Sequence, residues 1–227
     1  MAFESILKLS EVALDEALSR TCAVLKCNGI IALPTDTLYG ISTSLENAEK
    51  LYDVKHRSHM KPLGLFLSDA SEAMRWAKVT VDAHILHRLL PGPVTLIFER
   101  SSNLPASLNP ECRDIGLRVP DHEFVRALCR DFGSPLAQTS ANESGMPSPI
   151  SVTEFSELWP KIDLIVDGGI LSVGCADKKA RAGSTVVNLT IPGTYSIIRD
   201  GCARLRTEEI LRDCGLTAIT DGETRKN

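Results

Sequence analysis

The chain has 227 residues, 43% of them hydrophobic, and a formal charge of -4. That length can bury one large core, and the acidic balance excludes a surface that is basic throughout, leaving nucleic-acid binding, if any, to a local patch. Its 7 cysteines are scattered singly without a CxxC pair, which speaks against a disulfide framework or a structural zinc site. No apolar run approaches bilayer length and no signal-peptide pattern opens the chain, so a soluble, intracellular protein is expected.

Taken in order, Ser10 can cap a helix running to Lys26, with Leu14, Leu18, Cys22 and Leu25 on one stripe and Asn28-Gly29 as its stop. Gly29 to Leu33 is continuously apolar and ends at Pro34, as a strand buried on both faces would be. A helix is expected from Asn47 to Val54. Strands are expected at Leu63 to Leu67, Val94 to Glu99, Ile115 to Val119, Pro135 to Ala137, Leu164 to Val166, Thr185 to Leu189 and Tyr195 to Ile198. Helices are expected at Ser71 to Ala77, Asp82 to Leu90, Glu123 to Phe132, Val152 to Leu158 and Thr207 to Cys214. The alternation gives an α/β class with some antiparallel pairing in the last third. From Thr217 the apolar period is lost, and the tail is expected to fray.

Four stretches carry polar groups that need an explanation. Lys55-His56-Arg57-Ser58-His59-Met60-Lys61-Pro62 sets three permanent cations against the global charge sign; it either complements the C-terminus of the preceding helix or holds an anion. Pro34-Thr35-Asp36-Thr37-Leu38-Tyr39-Gly40 leaves the most buried strand at its carboxyl end, where open α/β sheets bind ligands, but it also reads as a Pro-initiated turn capped by its own side chains. Ser140-Ala141-Asn142-Glu143-Ser144-Gly145 admits the same two readings. Arg118, inside the apolar run Ile115 to Val119, requires a ligand or a buried carboxylate, because an unpaired guanidinium is costly to bury. A GxxxxGK[ST] loop, GxGxxG, GxSxG and HExxH are all missing from the sequence.

PTDTLYG at 34–40, Lys55, Arg57, Lys61 and Pro62 in a KxRxxxKP pattern, LPGPVT at 90–95, GLRVP at 116–120, TSANxSG at 139–145, GSTVV at 183–187 and IIRxG at 197–201 together resemble the YrdC-like threonylcarbamoyl-AMP synthase family. The likeness runs from about Ser10 to Arg204, with the wording of the single-domain animal form. It implies a catalytic domain over 10–204, followed by a C-terminal helix and frayed tail over 205–227. It also implies a YrdC/RibB-like fold: a twisted mixed parallel and antiparallel sheet with helices, curved around a basic cavity.

The activity implied is synthesis of L-threonylcarbamoyladenylate from L-threonine, bicarbonate and ATP. This is the first step toward N6-threonylcarbamoyladenosine in tRNAs reading ANN codons, with a downstream threonylcarbamoyl transferase complex acting on tRNA. Carried over by position, Lys55, Arg57 and Lys61 are the catalytic cations facing the triphosphate. Ser140, Asn142, Ser148 and Arg199 join Arg57 and Lys61 around ATP, and Thr35, Arg118 and Ser184 hold threonine. Mg²⁺ would be held mainly by the ATP phosphates. Phe66 stands where some relatives carry a polar residue, and Asn188 where an aspartate is frequent. A lid over ATP at Leu171 to Ala182, a cytoplasmic location with a mitochondrial form left open, and direct RNA binding complete the expectations. The rival readings are a double-stranded RNA or tRNA-binding module without adenylation activity, and a carbamoyl-adenylate synthase.

Overall fold

The computed structural model describes residues 6–55, 61–143, 145–171 and 181–219. Their strands form one open, mixed sheet. In chain order these are β1 (Ile6–Lys8), β2 (Ile31–Leu33), β3 (Gly40–Thr43), β4 (Gly64–Phe66), β5 (Ala77–Lys78), β6 (Val94–Arg100), β7 (Asp114–Arg118), β8 (Leu136–Ser140), β9 (Leu164–Asp167), β10 (Thr185–Asn188), β11 (Thr194–Arg199) and β12 (Thr217–Ala218). The order across the sheet is β1-β9-β2-β3-β8-β4-β7-β6-β10-β11-β12, with β5 paired to β6. The helices are α1 (Leu14–Lys26), α2 (Lys50–Lys55), α3 (Ala73–Trp76), α4 (Ala83–Leu89), α5 (Glu123–Phe132) and α6 (Arg204–Asp213).

The period of two along each strand divides the side chains into two layers. Ala32, Ile41, Leu65, Leu96, Phe98, Ile115, Leu117, Ala137 and Val187 point to one face and join Leu51, Trp76, Leu86, Phe155 and Leu211 from the helices in the larger core. On the other face Ile31, Leu33, Phe66, Leu136 and Val166 pack against Leu18, Leu25, Phe124 and Leu128 of α1 and α5. That second helical layer ends before β7, β6 and β10. Beyond it the sheet face is left open.

Strand and helix positions largely follow the apolar pattern, with physical reasons for the departures. Ser10 lies in a turn, and α1 starts at Leu14 after Ala13, because Ile6–Lys8 first pairs in parallel with Ile165–Asp167. β3, which was not among the expected strands, is fully buried; Thr43 Oγ1 finds its acceptor in Gly29 O at 2.8 Å. A 3₁₀ turn over Leu45–Asn47 delays α2 to Lys50. Where a helix was expected at Val152 to Leu158, the chain makes 3₁₀ turns over Val152–Lys161. They are broken at Phe155 (φ -129°, ψ 31°), whose ring packs 5.7 Å from that of Tyr39. β8 runs to Ser140, past its expected end, and Thr217–Ala218 pair with Thr194–Tyr195 instead of fraying. Residues 220–227 lie outside the described residues.

Candidate active site

The open part of the sheet face is the floor of a cavity of about 870 Å³. Each floor strand contributes alternate residues: Gly64 and Phe66 from β4, Asp114, Gly116 and Arg118 from β7, Thr95 and Ile97 from β6, Gln138 and Ser140 from β8, and Val186 and Asn188 from β10. Gly64 and Gly116 stand side by side in the register, so the centre of the floor carries no side chains from those two strands. Walls come from Thr35, Thr37 to Gly40, Lys61 and Pro62, Ser148, Ala182 to Ser184 and Arg199. Among the described residues, the charged ones lining it are Lys61, Arg113, Arg118, Arg199 and Asp114.

Arg118 ends β7 with its guanidinium buried, 5% exposed. It donates to Asp36 Oδ1 and, at 3.0 Å, to Thr37 Oγ1. The guanidinium carbon lies 5.9 Å from the centre of the Phe66 ring. Asp36 is the carboxylate that the apolar context of Arg118 demanded. Both Arg118 Nε and Asp36 Oδ2 are buried without a hydrogen-bond partner, so this ion pair keeps hydrogen-bonding capacity in reserve.

Thr35 lines the cavity, and its hydroxyl closes the turn. Thr35 Oγ1 accepts from the amides of Thr37 and Leu38 at 3.1 Å each and donates to Leu38 O at 2.7 Å. Ser184 and Arg199 form a unit: Arg199 donates to Ser184 O through Nε at 3.0 Å and to both Ser184 O and Oγ at 2.8 Å. The Ser184 hydroxyl also pairs with Thr95 Oγ1 at 2.8 Å. Gly183, at φ +68°, makes the turn that allows this; a Cβ there would also meet Leu38 at 3.1 Å.

Lys55 stands one layer behind the wall. Only 4% exposed, it donates to Ser140 O at 2.5 Å and reaches Ser140 Oγ and Thr139 Oγ1 at 3.3 Å. Asn142 lies outside the lining and braces its own loop, its amide donating to Glu143 O at 2.9 Å and Met146 O at 2.7 Å. Ser148 reaches the cavity, and its carbonyl accepts from Arg181 at 3.0 Å. Arg181 also holds Glu154 at 2.5 Å and 3.1 Å, and that guanidinium keeps the Glu154 carboxyl below its usual range. The structure therefore gathers Thr35, Lys61, Arg118, Ser140, Ser148, Ser184 and Arg199 around one space. Arg57, His56, His59 and most of the expected lid, 172–180, lie outside the described residues. Sequence reasoning did not single out Asp114, Thr95 and Gln138, although period-two alternation from Arg118 and Ser140 pointed to Asp114 and Gln138.

His122, just before α5, is half-buried, with its Nδ1 enclosed and unpartnered. Burial pushes its pKa below the usual 6.5, opposed by Asp36, Asp121 and Glu123 and assisted by Arg126. A histidine whose folded pKa is depressed binds its proton more readily in the unfolded chain, so its contribution is complete above about pH 6.5 and is lost as pH falls toward the folded value. Urea melts from pH 7.5 to 5.5 are expected to show stability falling with acid, and His122→Gln is expected to flatten that slope. An unchanged slope in the variant would assign the acid sensitivity to other groups.

Comparison with known proteins places this architecture. The family model Sua5_yciO_yrdC, described as "Telomere recombination", matches residues 23–201. A Bos taurus protein named threonylcarbamoyl-AMP synthase is 46% identical over 204 residues, covering 88% of this chain and 74% of the relative. A structure of a P. abyssi Sua5 variant superposes with a TM-score of 0.76 at 28% identity, over 86% of this chain and 60% of that one. P. abyssi Sua5 complexed with L-threonine gives 0.79 at 23% identity, over 98% and 64%. This chain thus spans about three quarters of the bovine relative and less than two thirds of the P. abyssi chains. With a matched model over most of its length and the mixed open sheet in place, the chain belongs to the Sua5/YciO/YrdC family.

Proposed function

We propose that this chain is a threonylcarbamoyl-AMP synthase, joining L-threonine, bicarbonate and ATP into L-threonylcarbamoyladenylate with release of pyrophosphate and water. The observation that carries the reading is one cavity lined both by a buried, carboxylate-backed guanidinium at Arg118 and by Lys61, Ser140 and Arg199, groups able to hold an anion. The 46% identity to the bovine synthase points the same way. Arg118 and Ser184 take the threonine carboxylate and Thr35 fixes the turn beside it. Arg57, Lys61, Ser140, Ser148 and Arg199 surround the nucleotide, with Lys55 and Asn142 supporting Ser140 and the loop after it. The product feeds a threonylcarbamoyl transferase that acts on tRNA.

The chemistry is a meeting of anions. Threonine loses an ammonium proton, its amine adds to the bicarbonate carbon, and water leaves to give an N-carboxylate. An oxygen of that carboxylate then attacks the α-phosphorus as the bond to pyrophosphate breaks. Two unit charges of like sign at 4 Å repel by about 4 kcal/mol at an effective dielectric of 20. Lys61, Arg199 and Lys55 offset that repulsion and the charge left on pyrophosphate. Among the described residues no three His, Cys, Asp or Glu side chains come together as a metal cage. Mg²⁺ enters as part of the ATP complex, on phosphate oxygens, and among the described residues Asp114 is the carboxylate that lines the cavity.

Incubating the protein with ATP, Mg²⁺, bicarbonate and single amino acids is expected to give pyrophosphate and an acyl-adenylate with threonine only. Equal release with no amino acid would overturn the assignment. RNA affinity without threonine-dependent turnover would support a binding module in its place.

A further inference from the structure

Gln138 sits in the middle of β8 and faces the cavity. Its neighbours in the register are Ser42 on β3 and Gly64 on β4, and the next residue along that row is Gly116. A Cβ built on Gly64 would lie 2.6 Å from Gln138 Nε2, so the side chain is laid flat across β4 in the space that glycine leaves. Among the described residues its carboxamide forms no hydrogen bond. A long polar side chain thus lies over a bare floor and lines the open cavity, where its donors and acceptor are available to a ligand.

Its position indicates which part of the ligand it meets. Ser140, with Lys55 behind it, is one side-chain repeat along β8, and Leu136, in the row of Phe66 and Arg118, is one repeat the other way; each repeat is about 6.6–6.8 Å. Along β8, Gln138 lies between the row of Ser140 and the row that holds the backbone of Arg118.

Resting on the proposed reaction, we infer that Gln138 is a substrate-contacting residue that recognises the N-carboxylated amine. That group carries an N–H beside a carboxylate oxygen, and a primary carboxamide carries a carbonyl oxygen beside an N–H. The two close a pair of hydrogen bonds, Nε2–H donating to the carboxylate oxygen and the substrate N–H donating to Oε1. Bicarbonate presents a similar edge, its O–H beside a carboxylate oxygen, so the same carboxamide can hold the precursor before the amine adds to it. A neutral donor also suits an oxygen about to act as nucleophile: a lysine or arginine here would hold that oxygen more tightly and blunt its attack. Gly64 belongs to the same device, since any side chain there displaces the amide.

The test begins with wild-type turnover. If threonine, bicarbonate and ATP give no pyrophosphate, the functional reading fails, and the Gln138 assignment fails with it. With wild-type turnover established, Gln138→Leu, which keeps the bulk and removes the amide, is expected to lower kcat roughly 10- to 100-fold and to raise the KM for bicarbonate. The KM for ATP and the calorimetric Kd for threonine are expected to stay within about twofold. Gly64→Ala, which retains the amide but moves it, is expected to shift kcat in the same direction with less loss. Gln138→Leu with wild-type kcat and bicarbonate KM would overturn the inference. So would a uniform rise in all three substrate constants accompanied by a lowered Tm, because that pattern belongs to a purely structural residue.

Discussion

Arg118→Ala is expected to lose threonine-dependent pyrophosphate release below detection and to lower the unfolding free energy by about 3–5 kcal/mol, the cost of leaving a buried charge without its partner. The stranded group is Asp36, whose side chain is 11% exposed in the pair. Stability and catalysis would fall together for different reasons, and a second substitution separates them. Asp36→Asn in the Arg118→Ala background removes the stranded charge, so the double variant is expected to regain most of the stability in a urea melt. It should regain none of the threonine binding, because the asparagine cannot take the place of the guanidinium at a carboxylate. Turnover recovering along with stability in the double variant would show that Arg118 serves the fold alone.

Lys55→Met is expected to reduce kcat by roughly 50- to 100-fold. Methionine keeps the packing of the stem and deletes the ammonium. Lys55 Nζ is one hydrogen bond behind the cavity wall at Ser140, which would put a bound phosphate oxygen about 6–7 Å away. A unit charge at that distance contributes about 2.5 kcal/mol at an effective dielectric of 20, which is the size of the expected rate loss. The uncovered Ser140 carbonyl also costs about 1–3 kcal/mol of stability, so the melt must be measured beside the rate. A variant destabilised by that amount yet turning over at the wild-type rate would limit Lys55 to propping the Ser140 strand.

Much of this layout could be read from residue order, and the reasons it stopped where it did are physical. Apolar periodicity located α4, α5, β6 and β7 closely because each presents one apolar face to a core. β3 escaped because a central strand can bury Thr43 once the Gly29 carbonyl accepts its hydroxyl, and Ser42 is buried beside it with no partner for its own; no period reveals either. β1 and β12 are three and two residues long and exist through their partners Leu164–Asp167 and Thr194–Arg199. In the site, the cost of burying Arg118 announced a carboxylate, but identifying it as Asp36, 82 positions away, needed the fold. Ser184 and Arg199 were assigned to different ligands from their motifs, whereas the structure joins them by three hydrogen bonds. Gln138 had only its alternation with Ser140 to mark it, and a glutamine in a short strand reads as solvent-facing until Gly64 is seen beside it.

The alternation along β7 has a consequence for how this protein can change. Asp114, Gly116 and Arg118 serve the cavity while Ile115 and Leu117, interleaved with them, serve the hydrophobic layer beneath. Inserting or deleting a single residue before this strand would exchange the two sets, sending a guanidinium into the oil and leucine into the pocket. Function and foldability are thus written in the same five letters, and drift can tune one set only by substitution, never by length.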